Sequence, residues 1–128
     1  MTTPLYASLL AFWLVILSVR VIALRGNPAF SSMAFGKNGN ETLERAIRGQ
    51  ANLTEYAPTF LILLFLAEAT GTSTTAIHAY GLTFLVGRLA HGICFGFMTR
   101  SMALRVGGTA LTFASILGLA AQLLLRYL

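Results

Sequence analysis

Four polar side chains, Arg45, Arg48, Asn52 and Glu55, recur at helical spacing directly before a strongly apolar segment, and Thr59 extends the series. At about 100° per residue all five fall within an arc of roughly 80°, so one helix face carries two guanidiniums, an amide and a carboxylate. Such groups at the edge of hydrocarbon cost on the order of several kcal/mol unless they meet one another, a neighbouring helix or a polar ligand. With Tyr56 on the same segment and Arg88, His91 and Arg105 farther along, they form a surplus of hydrogen-bonding groups. A structural ion pair needs only two residues. The surplus suits an anionic, peptide-like ligand that carries carboxylates and amides.

Glu55 and Arg88 are each costly alone, and an antiparallel bundle can place them side by side, so they are expected to pair; taken alone such a pair could do no more than fix helix register. His91 shares a helix face with Arg88 and Phe95 and reads as a proton donor, a ligand anchor or a packed histidine with a satisfied hydrogen bond. No metal site is expected, because the two histidines stand thirteen residues apart, Asp is absent and Cys94 is the single cysteine. Cys94 lies in an apolar run and reads as packing. Gly107-Gly108 opens an apolar helix and is no phosphate-binding loop.

These residues need elements to hold them. The chain has 128 residues, 56% of them hydrophobic and 10% charged, a balance that points away from a soluble domain and toward an all-α integral membrane four-helix bundle. Helices are predicted over residues 5–24, 40–69, 74–98 and 106–125 within a single domain, 1–128. The first stops at Arg25-Gly26-Asn27-Pro28. The second takes Asn40 as N-cap with Glu41 and Glu44 in its first turn. At about 42 Å it exceeds the roughly 30 Å of bilayer hydrocarbon, so its first two turns project into the interface. Pro58 removes one backbone hydrogen bond and is expected to bend that helix beside the polar stripe. Gly107, Gly108, Ala110 and Gly118 allow close contacts by the fourth helix.

A net charge of +5 would suggest nucleic acid in a soluble protein, but here the basic residues sit at the ends of apolar runs, so no nucleic-acid partner is expected. Arg25, Lys37, Arg45 and Arg48 flank one connection, and Arg100 and Arg105 flank another on the same side. The positive-inside rule then places both termini outside and the two basic loops in the cytoplasm, with Arg126 the one exception.

The segment Arg48-Gly49-Gln50-Ala51-Asn52-Leu53-Thr54-Glu55-Tyr56-Ala57-Pro58 resembles the Arg-x-x-x-Asn-x-x-Glu-(Tyr)-x-Pro signature of the MAPEG superfamily, membrane-associated proteins in eicosanoid and glutathione metabolism. Phe84-Leu85-Val86-Gly87-Arg88-Leu89-Ala90-His91 is similar to the third helix of prostaglandin-forming members, and the whole chain resembles a small bacterial one. The resemblance implies a homotrimer in the bacterial inner membrane, with glutathione as co-substrate between neighbouring subunits near the cytoplasmic face. It implies that Arg48, Asn52, Glu55 and Tyr56 bind glutathione, with Arg25, Arg88 and His91 at further matching positions. It also implies a thiolate-stabilising arginine at the start of the fourth helix, for which Arg105 is the candidate and Arg100 the fallback. The implied activity is a glutathione-dependent transferase or peroxidase acting on hydrophobic small molecules that arrive through membrane lipid.

Phe95 stands where eicosanoid-forming relatives usually carry a tyrosine, and His91 where some carry another. Those departures leave room for a non-catalytic lipid-binding or scaffold protein of the same fold. A small multidrug exporter, also built of four helices, relies on an acidic residue in its first helix, where this chain has only Arg20.

Overall fold

The computed structural model describes residues 1–128. It contains four α-helices, α1 (Thr3–Leu24), α2 (Gly39–Ala69), α3 (Thr74–Phe97) and α4 (Met102–Tyr127), with a 3-10 segment at Pro28–Met33 between the first two. Pro4 lies in the first turn of α1, where its missing N–H is no loss, and Gly26 takes a φ of 96° just beyond the other end. Ser73 and Ser101 cap α3 and α4 by accepting from the amides of Ala76 and Leu104. The Ser101 cap explains why α4 begins at Met102 rather than near Val106. Helix α2 starts at Gly39 with Asn38 as N-cap and no side-chain cap bond, so Asn40 lies inside the helix instead of capping it. It continues through Pro58.

Short connections make neighbouring helices antiparallel, and the polar bonds at the two ends record it. At one end Glu68 accepts from the amides of Thr2 and Thr3 and from the Thr3 hydroxyl, while Gln122 donates to Thr72. At the other, Arg20 reaches the carbonyl of Gly96 and Arg45 that of Cys94. Glu68 acts as a borrowed cap for α1, tying it to α2. Glu68→Gln is expected to lower stability by about 1 kcal/mol, checked by the shift in thermal unfolding midpoint.

Helix packing depends on glycine at close crossings. A Cβ on Gly108 would lie 2.7 Å from the Gly87 carbonyl oxygen, so α3 and α4 meet backbone to backbone. On the other side of α3, Tyr6 fills the space over Gly81 and Trp13 the space over Gly92. Phe60 of α2 and Phe84 of α3 stack with ring centroids 3.8 Å apart, both fully buried. Outward faces are apolar: Phe12, Val15, Leu117 and Leu125 are among the exposed large hydrophobics. Helices α1 and α4 are each long and apolar enough to cross a membrane.

Candidate functional site

The polar stripe of α2 divides in two around Arg88. Arg88 is 2% exposed, and its guanidinium donates to Asn52 Oδ1 and, through Nε, to Thr112 Oγ1 at 2.8 Å. The rings of Tyr56 and Phe84 lie 5.5 and 6.0 Å from its guanidinium carbon. It thus joins α2, α3 and α4. The expected pairing of Glu55 with Arg88 does not occur in the chain: Asn52, one turn earlier, takes the guanidinium, and Glu55 stays exposed on the outer face. A neutral amide and a hydroxyl satisfy the donors of Arg88 without cancelling its charge. Arg88→Met is expected to cost about 1–3 kcal/mol, because Asn52 loses its donor, and to loosen the position of Asn52. Thermal unfolding of the purified protein measures it.

Beside this buried node lies an open groove between α2, α3 and the start of α4, lined by Arg48, Asn52, Glu55, His91, Phe95, Arg105 and Thr109. It adjoins a cavity of about 400 Å³ toward the helix ends, where Glu41, Glu44, Arg45, Arg100 and Ser101 join Arg48, Phe95 and Arg105. Phe95 is the common floor. His91 stacks on its ring at 4.5 Å, and the guanidinium carbons of Arg45 and Arg105 lie 4.9 and 5.8 Å from its centre. His91 is 7% exposed. Gly49 lets α2 approach closely here, since a Cβ would fall 3.1 Å from Phe95 Cβ. Carboxylates and guanidiniums on one open surface can hold a ligand with both ammonium and carboxylate groups.

The sequence matches the MAPEG family over residues 3–125. The chain belongs to the MAPEG family. It is 34% identical over 117 residues to "Inner membrane protein YecN" of Escherichia coli strain K12, a stretch covering 91% of this chain and 86% of that protein. The protein of the same name from E. coli O6:H1 matches to the same extent. No solved structure matches. This is therefore a membrane protein of the MAPEG family, and its helical architecture without strands agrees with that assignment.

Within this MAPEG chain the sequence-derived residues are not all gathered in one place. Arg48, Asn52, Glu55, His91 and Arg105 meet in the groove, and Arg100 joins only the outer cavity. Arg88 lies behind Asn52 rather than on the groove surface. Tyr56 turns toward Phe113, 5.7 Å between ring centroids, and lines an apolar recess with Glu55, Thr59, Ile116 and Leu117. Arg25 is exposed beyond the end of α1 and lines neither the groove nor the adjoining cavity.

Several positions escaped the sequence reading. Thr112 had no signal, because a threonine in an apolar helix commonly bonds its own backbone, as it also does here to Gly108. Phe95 was placed on the face of Arg88 and His91, but its contacts with Arg45 and Arg105 were not legible. The small residues at 81, 87, 92 and 96 on α3 were a visible signal for close helix contacts, stronger than the glycines of α4, where Gly107 faces open space.

Proposed function

We propose that the protein is a glutathione-dependent transferase or peroxidase for lipophilic electrophiles or hydroperoxides. The observation that carries this reading is the groove joining Arg48, Asn52, Glu55, His91 and Arg105. Arg48 and Arg45 would hold the carboxylates of the tripeptide, and Glu55 its amides or ammonium. Arg105 would face the thiol. Tyr56 borders the apolar recess that would receive the second substrate. The thiolate would attack an electrophilic carbon to form a thioether, the displaced pair taking up the thiol's proton. With a hydroperoxide, two thiols would yield a disulfide, an alcohol and water.

A homotrimer is part of this proposal. Glu55 is exposed on one subunit, in the part of α2 set to lie at membrane depth, and an uncovered carboxylate there is expensive. A neighbouring subunit would cover the groove and could bring Arg25 to it. Localisation follows the E. coli relative, the inner membrane, with both termini outside and the basic loops cytoplasmic.

The test is a titration of glutathione into purified, detergent-solubilised protein, following ultraviolet thiolate absorbance and binding heat. Saturable binding with a thiolate signal is expected, and Arg48→Ala and Glu55→Gln should each weaken it by about tenfold, the value of one charge-assisted hydrogen bond. Unchanged binding in both variants would remove the site. A second reading, a lipid-binding protein without thiol chemistry, draws on Phe95 and the apolar recess beside Tyr56; it predicts retention of a lipophile and no response to glutathione.

A further inference from the structure

A second basic cavity lies outside the groove, where residues 28–38 cross the ends of α2 and α3. It measures about 180 Å³ and is lined by Arg20, Asn38, Thr42, Arg45 and Phe97, with the exposed Glu41 also on its wall. Arg20 is 2% exposed. Its Nε donates to the Gly96 carbonyl at 2.7 Å and a terminal nitrogen to the Met33 carbonyl at 2.6 Å, while the Phe35 ring lies 4.4 Å from its guanidinium carbon. Carbonyls and a ring face orient that charge but do not cancel it.

Arg45 enters the same cavity from α2. One terminal nitrogen donates to the Cys94 carbonyl at 2.9 Å, yet its Nε is buried without any hydrogen-bond partner. A buried, unbonded donor on a charged group is unfavourable enough to call for a missing acceptor. Helix α2 also begins here with no side-chain cap, so the positive end of its dipole adds to the field. Two guanidiniums and a helix start thus face one exposed carboxylate.

We propose that this cavity binds a phosphate group, either free or as the headgroup of an anionic phospholipid. Tetrahedral phosphate offers oxygens in several directions at once, as the separate approaches of Arg20, Arg45 and α2 require. Basic pockets between helices at the cytoplasmic level of a membrane are suited to such headgroups. About 180 Å³ leaves room for a phosphate group and accompanying solvent. This cavity shares Arg45, Glu41 and Phe95 with the one adjoining the groove, but Arg20, Asn38 and Thr42 line it alone, whereas Arg48 and Arg105 line only the groove and its adjoining cavity, so Arg20 separates the two sites.

The experiment uses full-length protein in a phosphorus-free detergent. Inorganic phosphate against chloride at equal ionic strength is expected to raise the unfolding midpoint by a few degrees. Native mass spectrometry after purification from membranes tests for retained phosphatidylglycerol. Arg20→Gln, which removes the charge but keeps an N–H donor for the Gly96 carbonyl, should weaken phosphate or lipid retention about tenfold or more, and if it fails to fold Arg45→Gln should do the same, with its glutathione affinity measured alongside. Arg105→Ala should leave it unchanged. A midpoint shift alone assigns the site to free phosphate, and retained lipid assigns it to a headgroup. Neither response, or either response undiminished in the folded variants, overturns the proposal.

Discussion

Arg105→Ala is expected to lower the thiolate signal of bound glutathione, and any thiol-transfer rate, by about a hundredfold, while binding falls much less and the fold stays intact. Arg105 is exposed in the first turn of α4, and its guanidinium rests 5.8 Å from the centre of Phe95, lining both the groove and the adjoining cavity. Its exposure means that no core packing rests on it, so its loss should be felt in chemistry before stability. A thiol with an ordinary pKa of about 8.5 is mostly protonated at neutral pH, and a guanidinium beside it favours the thiolate, more strongly once a neighbouring chain covers the groove. Arg105→Lys should recover part of the signal, because it keeps the charge but loses the planar fork. Arg100 lines only the outer cavity, so Arg100→Ala should reduce binding more than thiolate formation. The reverse pattern, with thiolate surviving in Arg105→Ala and lost in Arg100→Ala, would exchange their roles.

Arg48, Asn52 and Glu55 were legible as one face because α2 is helical throughout this stretch, and helical period alone sets their direction. Partner choice was not legible. Opposite charge made Glu55 the obvious mate for Arg88, but reach decides, and Asn52 sits one turn closer to the level of Arg88 on α3. Arg45 illustrates the same limit: it belongs to the stripe by spacing, yet Gly49 draws α3 so close that Arg45 bonds Cys94 on the neighbouring helix. Arg20 appeared to be an isolated charge in an apolar run. Its role in holding the 28–38 segment to the end of α3 depends on the carbonyls of Met33 and Gly96, which no side-chain pattern encodes.

Two adjacent glycines on α4 should respond in opposite directions. A methyl group on Gly108 would stand 2.7 Å from the Gly87 carbonyl oxygen and 2.9 Å from the His91 amide nitrogen. Both are backbone atoms and cannot rotate aside, so α4 must move away from α3 along their whole contact. Gly108→Ala is therefore expected to destabilise by about 1–3 kcal/mol, the range for overpacking, even after the gain in helix propensity. That movement would carry Arg105 away from His91, so glutathione affinity should fall with stability although Gly108 lines neither cavity nor groove. At Gly107 the same methyl would meet nothing within 4 Å. Gly107→Ala should then stabilise by up to about 1 kcal/mol, with binding unchanged. Thermal unfolding and glutathione titration of the two variants side by side test the backbone contact: equal responses would mean that α3 and α4 do not cross at Gly87 and Gly108, and that something other than this crossing positions Arg105.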